Sequence, residues 1–327
     1  MALLEEAGRT FDFAAHVTGV AWARDRAAFA LGDGTVRYAG LTGDPVSVAA
    51  HRGACLALAP DAGGLLTGGD DGRLVRSLAD GTAETLTETK GRWIEHVVTG
   101  PSGAIAWASG RRVAVRVSGR DRSFEAPSGV GGLAFMPKGL RLAAAHYGGV
   151  TIWWAAADSP PTRLEWKGSH TGLAVSPDGR FLITTMQENA LHGWRLADGK
   201  DLRMTGYPGK IRSLSWSAKG RHLATSGAEA VVLWPFQGKD GPMGKSGQQI
   251  GARPQLVTAV ACHPGMDVVA AGYADGTVLL LRIEDGAEIP VTGTGGGPVT
   301  ALAWDPQGLG LAFGTDQGRA GVIGFAR

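Results

Sequence analysis

Short apolar runs separated by turn residues recur along the whole chain. The clearest case lies between His170 and Lys200, where Leu173–Val175, Phe181–Thr185 and Leu191–Leu196 alternate with polar residues and Asp-Gly steps. Runs of this length are typical of β-strands and are too short to be helices. Proline fixes φ and Asp-Gly favours a tight reversal, so the Ser-Pro-Asp-Gly step between the first two runs predicts a hairpin. The stretch is therefore predicted to be a three-stranded β-meander.

The same unit occurs eight times. Each copy has a landmark residue near the end of its first strand, and successive landmarks are 36, 41, 36, 40, 41, 46 and 42 residues apart. The landmarks are Arg24, Pro60, Pro101, Pro137, Pro177, Ala218, Pro264 and Pro306. A period of about 40–45 residues with four strands per repeat is characteristic of a propeller blade. The sequence thus predicts an all-β propeller that occupies residues 1–327 as a single domain.

The repeats resemble those of the WD40 family over nearly the entire chain. The resemblance is carried by the Ser-Pro-Asp-Gly-type turns, by the Asp-Gly steps at Asp33, Asp71 and Asp275, and by His51 and His170 just before a first strand. It implies a structural, hydrogen-bonding role for these two histidines. It also implies a rigid platform that binds another protein, with no catalytic residues and no cofactor.

The Trp-Asp pair that gives the family its name is missing from every repeat. Trp154 is followed by alanine, Trp194 by arginine and Trp234 by proline. The family's hydrogen-bonded network of histidine, aspartate, serine or threonine, and tryptophan is therefore expected to be incomplete in this chain.

Closure of the ring is expected to involve both ends of the chain. The final unit, residues 299–325, contains only three strands, and the resemblance implies that a strand from the other terminus completes it. The segment 8–16, around Phe11 and Phe13, can supply this strand. Without it, a sheet edge would stay unpaired. Eight three-stranded units and one donor strand predict eight four-stranded blades, with seven, the commoner number in the family, as the alternative.

Composition narrows the class of function. The formal net charge is +2 and the chain holds two cysteines, Cys55 and Cys262, too few for a disulfide framework. The first residues are acidic where a signal peptide is basic, and no run approaches the ~20 apolar residues of a membrane span. These features predict a cytoplasmic protein without contacts to nucleic acid or membrane. We further expect a monomeric propeller with a protein partner, as the resemblance implies.

One stretch departs from this neutral balance. Between Lys90 and Arg122 there are seven basic and two acidic side chains. Alternation such as Arg112, Val113, Ala114, Val115, Arg116 is the pattern of a solvated strand face. A docking patch for an acidic or phosphate-bearing partner is the other interpretation.

Residues 235–254 form the one long insertion, which is rich in glycine. Its Gly244-Lys245-Ser246 step is reminiscent of a phosphate loop, but Lys239 stands where that motif needs glycine and no helix is predicted after Ser246. A flexible loop between a third and an outer strand is the preferred interpretation, and its length leaves functional and disordered roles open.

No arrangement of residues predicts catalysis or a metal site. The Cys262-His263 neighbours are expected to point to opposite faces of a strand, and no Cys-x-x-Cys, His-x-His or His-Glu-x-x-His spacing occurs. Two alternatives to a scaffold remain open: a zinc-binding or zinc-homeostasis accessory protein that uses scattered histidines and cysteines, and an enzyme with a site at the central channel.

The resemblance also implies which face binds the partner. One face collects the loops before the first strand of each blade and the loops between the second and third strands. Tryptophan, tyrosine and arginine dominate the energetics of interfaces, so such residues in these loops are candidate partner-binding residues. The candidates before first strands are Arg52, Arg92, Trp93 and Lys210. Those between second and third strands are Asp70, Arg111, His146, Tyr147, Gln187, Glu188, Tyr273 and Asp316.

Overall fold

A computed structural model describes residues 3–325 of the chain. Within this range the chain forms a short helix, α1 (Leu3–Ala7), a 3-10 turn at Pro101–Gly103 and 30 β-strands, of which β1 (Gly8–Asp12) is the first. The next twelve strands form three blades of four consecutive strands each. Blade 1 contains β2 (Val17–Ala23), β3 (Arg26–Leu31), β4 (Thr35–Ala39) and β5 (Val46–Ala49); blade 2 contains β6 (Cys55–Asp61), β7 (Gly64–Gly69), β8 (Arg73–Leu78) and β9 (Ala83–Glu88); blade 3 contains β10 (His96–Thr99), β11 (Ile105–Ser109), β12 (Arg112–Val117) and β13 (Arg120–Glu125).

Blades 4 and 5 share one continuous sheet, with strands in the order of the chain. Its strands are β14 (Val130–Phe135), β15 (Arg141–Trp154), β16 (Thr162–Val175), β17 (Phe181–Met186), β18 (Leu191–Arg195) and β19 (Lys200–Met204).

Strand β15 is a hairpin, because the amide of Ala155 donates to the carbonyl of Leu140 at 2.8 Å and brings its two ends together. The turn falls at Tyr147 and Gly148, and Gly148 has φ of 92°, which favours glycine. Strand β16 is also shared: residues 162–165 pair with β15, and residues 170–175 pair with β17.

The last three blades again contain four strands each. Blade 6 contains β20 (Leu214–Trp216), β21 (His222–Thr225), β22 (Val231–Pro235) and β23 (Gln248–Ile250); blade 7 contains β24 (Val257–Cys262), β25 (Val268–Tyr273), β26 (Val278–Arg282) and β27 (Glu288–Thr292); blade 8 contains β28 (Val299–Trp304), β29 (Gly310–Thr315), β30 (Arg319–Gly324) and, as its outer strand, β1. The pairing of β1 with β30 runs from Gly8 opposite Ile323 to Asp12 opposite Arg319. Closure of the ring by the N-terminal strand is therefore confirmed, with a shorter strand than the 8–16 expected.

The all-β propeller is confirmed, and the number of blades depends on how the shared sheet is counted. Seven separate hydrogen-bonded sheets are present, one of them with six segments. Because β15 and β16 each contribute to two strand positions, that sheet contains two four-stranded repeats. The described residues also form eight hydrophobic clusters, each between two adjacent repeats. We therefore count eight blades by packing, which agrees with the sequence period.

Burial explains why the inner runs are apolar and the outer ones polar. A second strand such as β17 is buried at every residue because a neighbouring blade covers each of its faces. The outer strand β9, AETLTE, has no fully buried residue because it lies at the rim. Glycine at Gly131 allows blades 4 and 5 to come close together: a Cβ there would lie 2.1 Å from the carbonyl oxygen of His170.

Candidate docking face

The face proposed for binding is held together by backbone hydrogen bonds between two kinds of loop. The segment before an inner strand bonds to the turn between the second and third strands, either of its own blade or of the preceding blade. Examples are Ile94 N to Gly69 O at 3.0 Å, Val130 N to Gly110 O at 2.9 Å and Asp316 N to Pro298 O at 3.1 Å. These two sets of loops therefore lie at the same end of the ring, which we call the loop face.

The two histidines with an expected structural role are both buried and bonded. The ring nitrogens of His51 lie 3.0 Å from Asp71 Oδ1 and 2.9 Å from Thr67 Oγ1. Those of His170 lie 2.7 Å from Thr184 Oγ1 and 3.0 Å from the carbonyl of Trp166. Burial lowers the pKa of both histidines below the ordinary value. All four ring nitrogens are occupied, so these residues organise the loops.

Blade 2 keeps the histidine, the aspartate and the threonine of the family network, His51, Asp71 and Thr67, and lacks the tryptophan. Asp71 also accepts from the amide of Arg52 at 3.1 Å, and although burial opposes ionisation, hydrogen bonds from Arg52 and His51 hold the pKa of Asp71 below its usual range. Thr67 Oγ1 bonds to His51, and the third strand of the blade, Arg73–Leu78, contains no tryptophan. The incomplete network expected from the missing Trp-Asp pair is thus observed.

Most of the candidate partner-binding residues are exposed on the loop face. The exposed ones are Arg52, Arg92, Trp93, Arg111, Tyr147, Gln187, Glu188 and Lys210. Asp70 and Asp316 are half-buried, because Asp70 lies against Gly53 and Asp316 lies against Gly297.

Two candidates are corrected by the structure. Tyr273 has no exposed surface, and its hydroxyl donates to the carbonyl of Gly251, so the ring fills the seam between blades 6 and 7. His146 is 5% exposed, and its ring nitrogens contact Tyr147 O and Thr151 Oγ1 at 2.8 Å each. Neither side chain is accessible to a partner. Their loop positions were predicted correctly, but their directions are set by neighbouring strands.

The loops of blades 3 and 4 carry the two most exposed aromatic candidates at the same end of the ring. Trp93 is 58% exposed and Tyr147 is 57% exposed. Next to Trp93, Glu95 accepts from the amide of Gly110 at 3.4 Å, and beside Tyr147 the hydroxyl of Ser128 accepts from the Tyr147 amide at 2.8 Å.

Two arginines lie at this end of the ring as well. Arg92 precedes Trp93 on the same loop, and Arg111 lies in the turn between β11 and β12, next to Gly110, and is 3.5 Å from Glu125. We call Arg92, Trp93, Arg111 and Tyr147 the aromatic patch. The basic stretch around it is partly neutralised, because Arg116 pairs with Asp121 at 2.6 Å and Arg122 pairs with Asp158.

The central channel opens beside this patch. Two adjoining cavities of about 790 and 780 Å³ share Leu58, Lys210 and Arg212. Their walls mix polar and apolar groups, with Glu95 on the blade 3 side of the mouth and Lys210 and Arg212 on the blade 6 side. The sequence interpretation missed Glu95 and Arg212. Their place in the residues that enter an inner strand is the signal that could have identified them.

The insertion joins β22 to β23, as expected for a loop between a third and an outer strand, and it contacts blade 5. Arg180 of blade 5 donates to the carbonyl of Gly238 at 2.8 Å, and Arg195 contacts both Asp240 and Asp198. Lys245 turns back to the carbonyl of Gln237 at 3.3 Å. No helix follows Ser246, in line with the rejection of a phosphate loop.

The adjacent Cys262 and His263 do not converge on one point. Cys262 Sγ is 3.4 Å from the carbonyl of Ser215 in blade 6, whereas His263 Nε2 is 3.0 Å from the carbonyl of Gly308 in blade 8. The two side chains thus contact opposite seams, as alternation along a strand predicts.

Across residues 3–325, no group of three or more histidine, cysteine, aspartate or glutamate side chains is placed to hold a metal ion. In the same range no helix is long and apolar enough to cross a bilayer.

Comparison with known proteins supports the fold and reaches only part of the chain in sequence. Eighty residues, 24% of this chain and 13% of the relative, are 35% identical to WD repeat-containing protein 1-B of Xenopus laevis. A stretch of 151 residues, 46% of this chain, is 26% identical to telomerase protein component 1 of Mus musculus and spans 6% of that protein. No protein-family model matches the chain.

A solved structure matches the whole ring. The crystal structure of the computationally designed Ika8 protein has a TM-score of 0.78 and 18% identity, over 96% of this chain and 98% of the other. At this identity the similarity concerns the fold alone. The chain is therefore an all-β propeller, and part of its sequence is similar to WD repeat proteins. The chain matches only a small part of the length of the curated relatives.

Proposed function

We propose that this propeller is a non-enzymatic docking platform whose loop face binds a protein partner through the aromatic patch. The observation that carries the proposal is the exposure of Trp93 and Tyr147, more than half of each side chain, on neighbouring hydrogen-bonded loops. Exposed apolar rings cost free energy in water, and their burial at an interface recovers it.

Rigidity of these loops favours affinity. Because the loops are already ordered by backbone bonds, a partner does not have to order them on binding. Arginines beside aromatic rings are the composition of interface hot spots, where truncation of one side chain often costs ≥ ~2 kcal/mol. The patch and its surroundings carry charges of both signs: Arg92 and Arg111 are basic, and Glu95 and Glu125 are acidic. A mixed surface favours a protein partner over nucleic acid, because the phosphate backbone is bound by clustered basic side chains.

Affinity capture from cell extract tests the proposal. Wild-type protein is compared with the double variant Trp93→Ala, Tyr147→Ala, and we expect the double variant to lose the captured partner. The matched control is Trp154→Ala, because Trp154 is 43% exposed but lies at the opposite end of blade 4. Equal capture by wild type and the double variant, with a loss in the Trp154 variant, would place binding at the other end of the ring.

A further inference from the structure

A second surface lies at the end of the ring opposite the loop face, between blades 7 and 8 and beside α1. It is an open groove of about 720 Å³. We call it the apolar groove, and its side chains are those of Leu3, Met266, Val268, Ile289, Trp304 and Phe325. Met266 is 55% exposed and Ile289 is 51% exposed, so the floor of the groove is accessible to a partner.

Polar groups inside the groove are already bonded. His263 Nε2 lies 3.0 Å from the carbonyl of Gly308, and its Nδ1 accepts from the amides of Gly265 and Met266. Arg282 donates to both oxygens of Asp285, at 2.8 and 2.5 Å. Among the described residues, the buried polar side chain of the groove, His263, is thus already bonded, and a ligand gains chiefly from apolar contact.

Charge around the groove differs from that of the rest of the chain. Residues 254–318 contain seven acidic side chains and one basic. Asp275 and Asp316 of this set lie at the loop face, and Glu288 pairs with Arg253. The acidic side chains left at the groove end of blades 7 and 8 are Asp267, Glu284, Asp285 and Asp305. The single base in this segment is Arg282, which Asp285 neutralises. Asp267 and Glu284 are exposed at this end of blade 7, and Glu5 and Glu6 are exposed on α1. The groove is thus apolar inside with an acidic rim.

We propose that the apolar groove docks a basic amphipathic segment of a partner protein, with its apolar side chains in the groove and its lysines or arginines against the acidic rim. Helix-in-groove recognition uses an apolar stripe of this kind, and opposite charges on the rim set orientation and association rate. An anionic membrane surface is disfavoured by the same acidic rim. Because the site lies at the opposite end from the aromatic patch, this proposal and the proposed function can fail independently.

The experiment uses the full-length protein and a fluorescein-labelled helical peptide of roughly 18 residues, made only of leucine and lysine with the leucines on one face. Fluorescence anisotropy is measured at roughly 50 and 500 mM salt, since screening weakens contacts with exposed charges. We expect binding that weakens at least about tenfold at high salt. Two control peptides are the same sequence with glutamate for lysine and a scrambled leucine–lysine sequence, and both should bind at least about tenfold more weakly.

Variants separate the apolar and charge contributions. Met266→Ser with Ile289→Ser should weaken binding about tenfold, and Asp267→Asn with Glu284→Gln should remove most of the salt dependence. The control is Met243→Ser, because Met243 is 42% exposed but lies in the insertion of blade 6. The proposal is overturned by equal binding of the glutamate or scrambled peptide, or by groove variants that bind like wild type. It is also overturned if the groove variants lose binding to phosphatidylcholine vesicles while peptide binding is unchanged.

Discussion

Two arcs of the same ring are joined by different chemistry. In the seams from blade 6 through 7 and 8 to blade 1, hydroxyls and indoles on one inner strand bond to the next. Ser215 Oγ accepts from Cys262 N at 2.8 Å, Thr258 donates to Val299 O at 2.7 Å, and Trp304 Nε1 donates to Ala261 O at 3.0 Å. Trp22 Nε1 closes the ring by donating to Ala303 O at 2.9 Å. We call this the hydrogen-bonded arc.

The seams from blade 2 to blade 5 rely on close packing. Among the described residues, the one inner-strand side-chain bond across these seams joins His96 to the carbonyl of Val130 at 3.0 Å. Elsewhere in these seams glycines allow the inner strands to pack closely, as Gly131 packs against the backbone of His170. We call this the packed arc.

The packed arc also holds most of the buried histidines. His192 has no exposed surface, stacks on Trp166 at 4.0 Å, and has no hydrogen-bond partner on either ring nitrogen among the described residues. The comparison teaches that one repeat geometry tolerates two kinds of seam. One kind of seam is joined by hydrogen bonds from side chains. The other is joined by close approach at glycines such as Gly131 and by stacked rings such as His192 on Trp166.

The largest effect is expected from filling the space at Gly131. In Gly131→Ala the new Cβ would meet backbone atoms of His170 and Thr171, which cannot move without separating blades 4 and 5. We expect a loss of about 3 kcal/mol or more in the free energy of unfolding, measured by urea denaturation. Gly129→Ala is the control, since nothing lies within 4 Å of a Cβ there. Equal midpoints for the two variants would mean that the packed arc is not close-packed.

Acid should weaken the packed arc through His192. Burial lowers the pKa of His192 to about 4, while the unfolded chain keeps the ordinary value of about 6.5. The folded state therefore binds fewer protons in this interval, so stability is retained above about pH 6.5 and is lost as pH falls towards 4. The contribution is of the order of 2–3 kcal/mol.

Unfolding free energies at several pH values check this expectation. His192→Gln keeps a polar side chain of similar size without titration and should reduce the pH dependence between 6.5 and 4, leaving the part that comes from the other buried histidines, such as His51 and His170. The exposed His16→Gln serves as control and should leave the slope unchanged. A slope unaltered by His192→Gln would assign the acid sensitivity to other groups.

The smallest effect distinguishes two tryptophans at equivalent inner-strand positions. Trp304→Phe removes the bond to Ala261 and should cost about 1–2 kcal/mol, because a buried carbonyl loses its donor. Trp216→Phe should cost less, because its Nε1 is buried without a hydrogen-bond partner in the described part of the chain. Thermal unfolding of the two variants measures the difference. A larger loss for the Trp216 variant would show that ring volume, and not the donor, joins these seams.

Much of the fold could be predicted from the sequence because its signals are local. Proline and Asp-Gly turns, strand-length apolar runs and their regular spacing depend on residues within one repeat, and all remain visible without a partner blade. The N-terminal donor strand was also predictable, since the final unit lacked one strand.

The candidate site was predicted in part. Positions in loops followed from the repeat, which placed Trp93 and Tyr147 correctly on the loop face. Directions of side chains did not follow, because Tyr273 is turned inward by the carbonyl of Gly251 from another blade. The contacts of the insertion could not be predicted either, since the arginines that bond to it, Arg180 and Arg195, come from blade 5.

By itself the sequence determined the repeat, its strands and turns, and the closed ring, because each follows from short-range backbone preferences and from the period of apolar residues. Tertiary structure alone decided which loop side chains face solvent, which seams are hydrogen-bonded, and that apolar residues from α1 and two blades share one acidic-rimmed groove. These features depend on contacts between residues up to some 300 positions apart, such as Leu3 and Phe325 in the same groove. Only the closed ring brings such residues together.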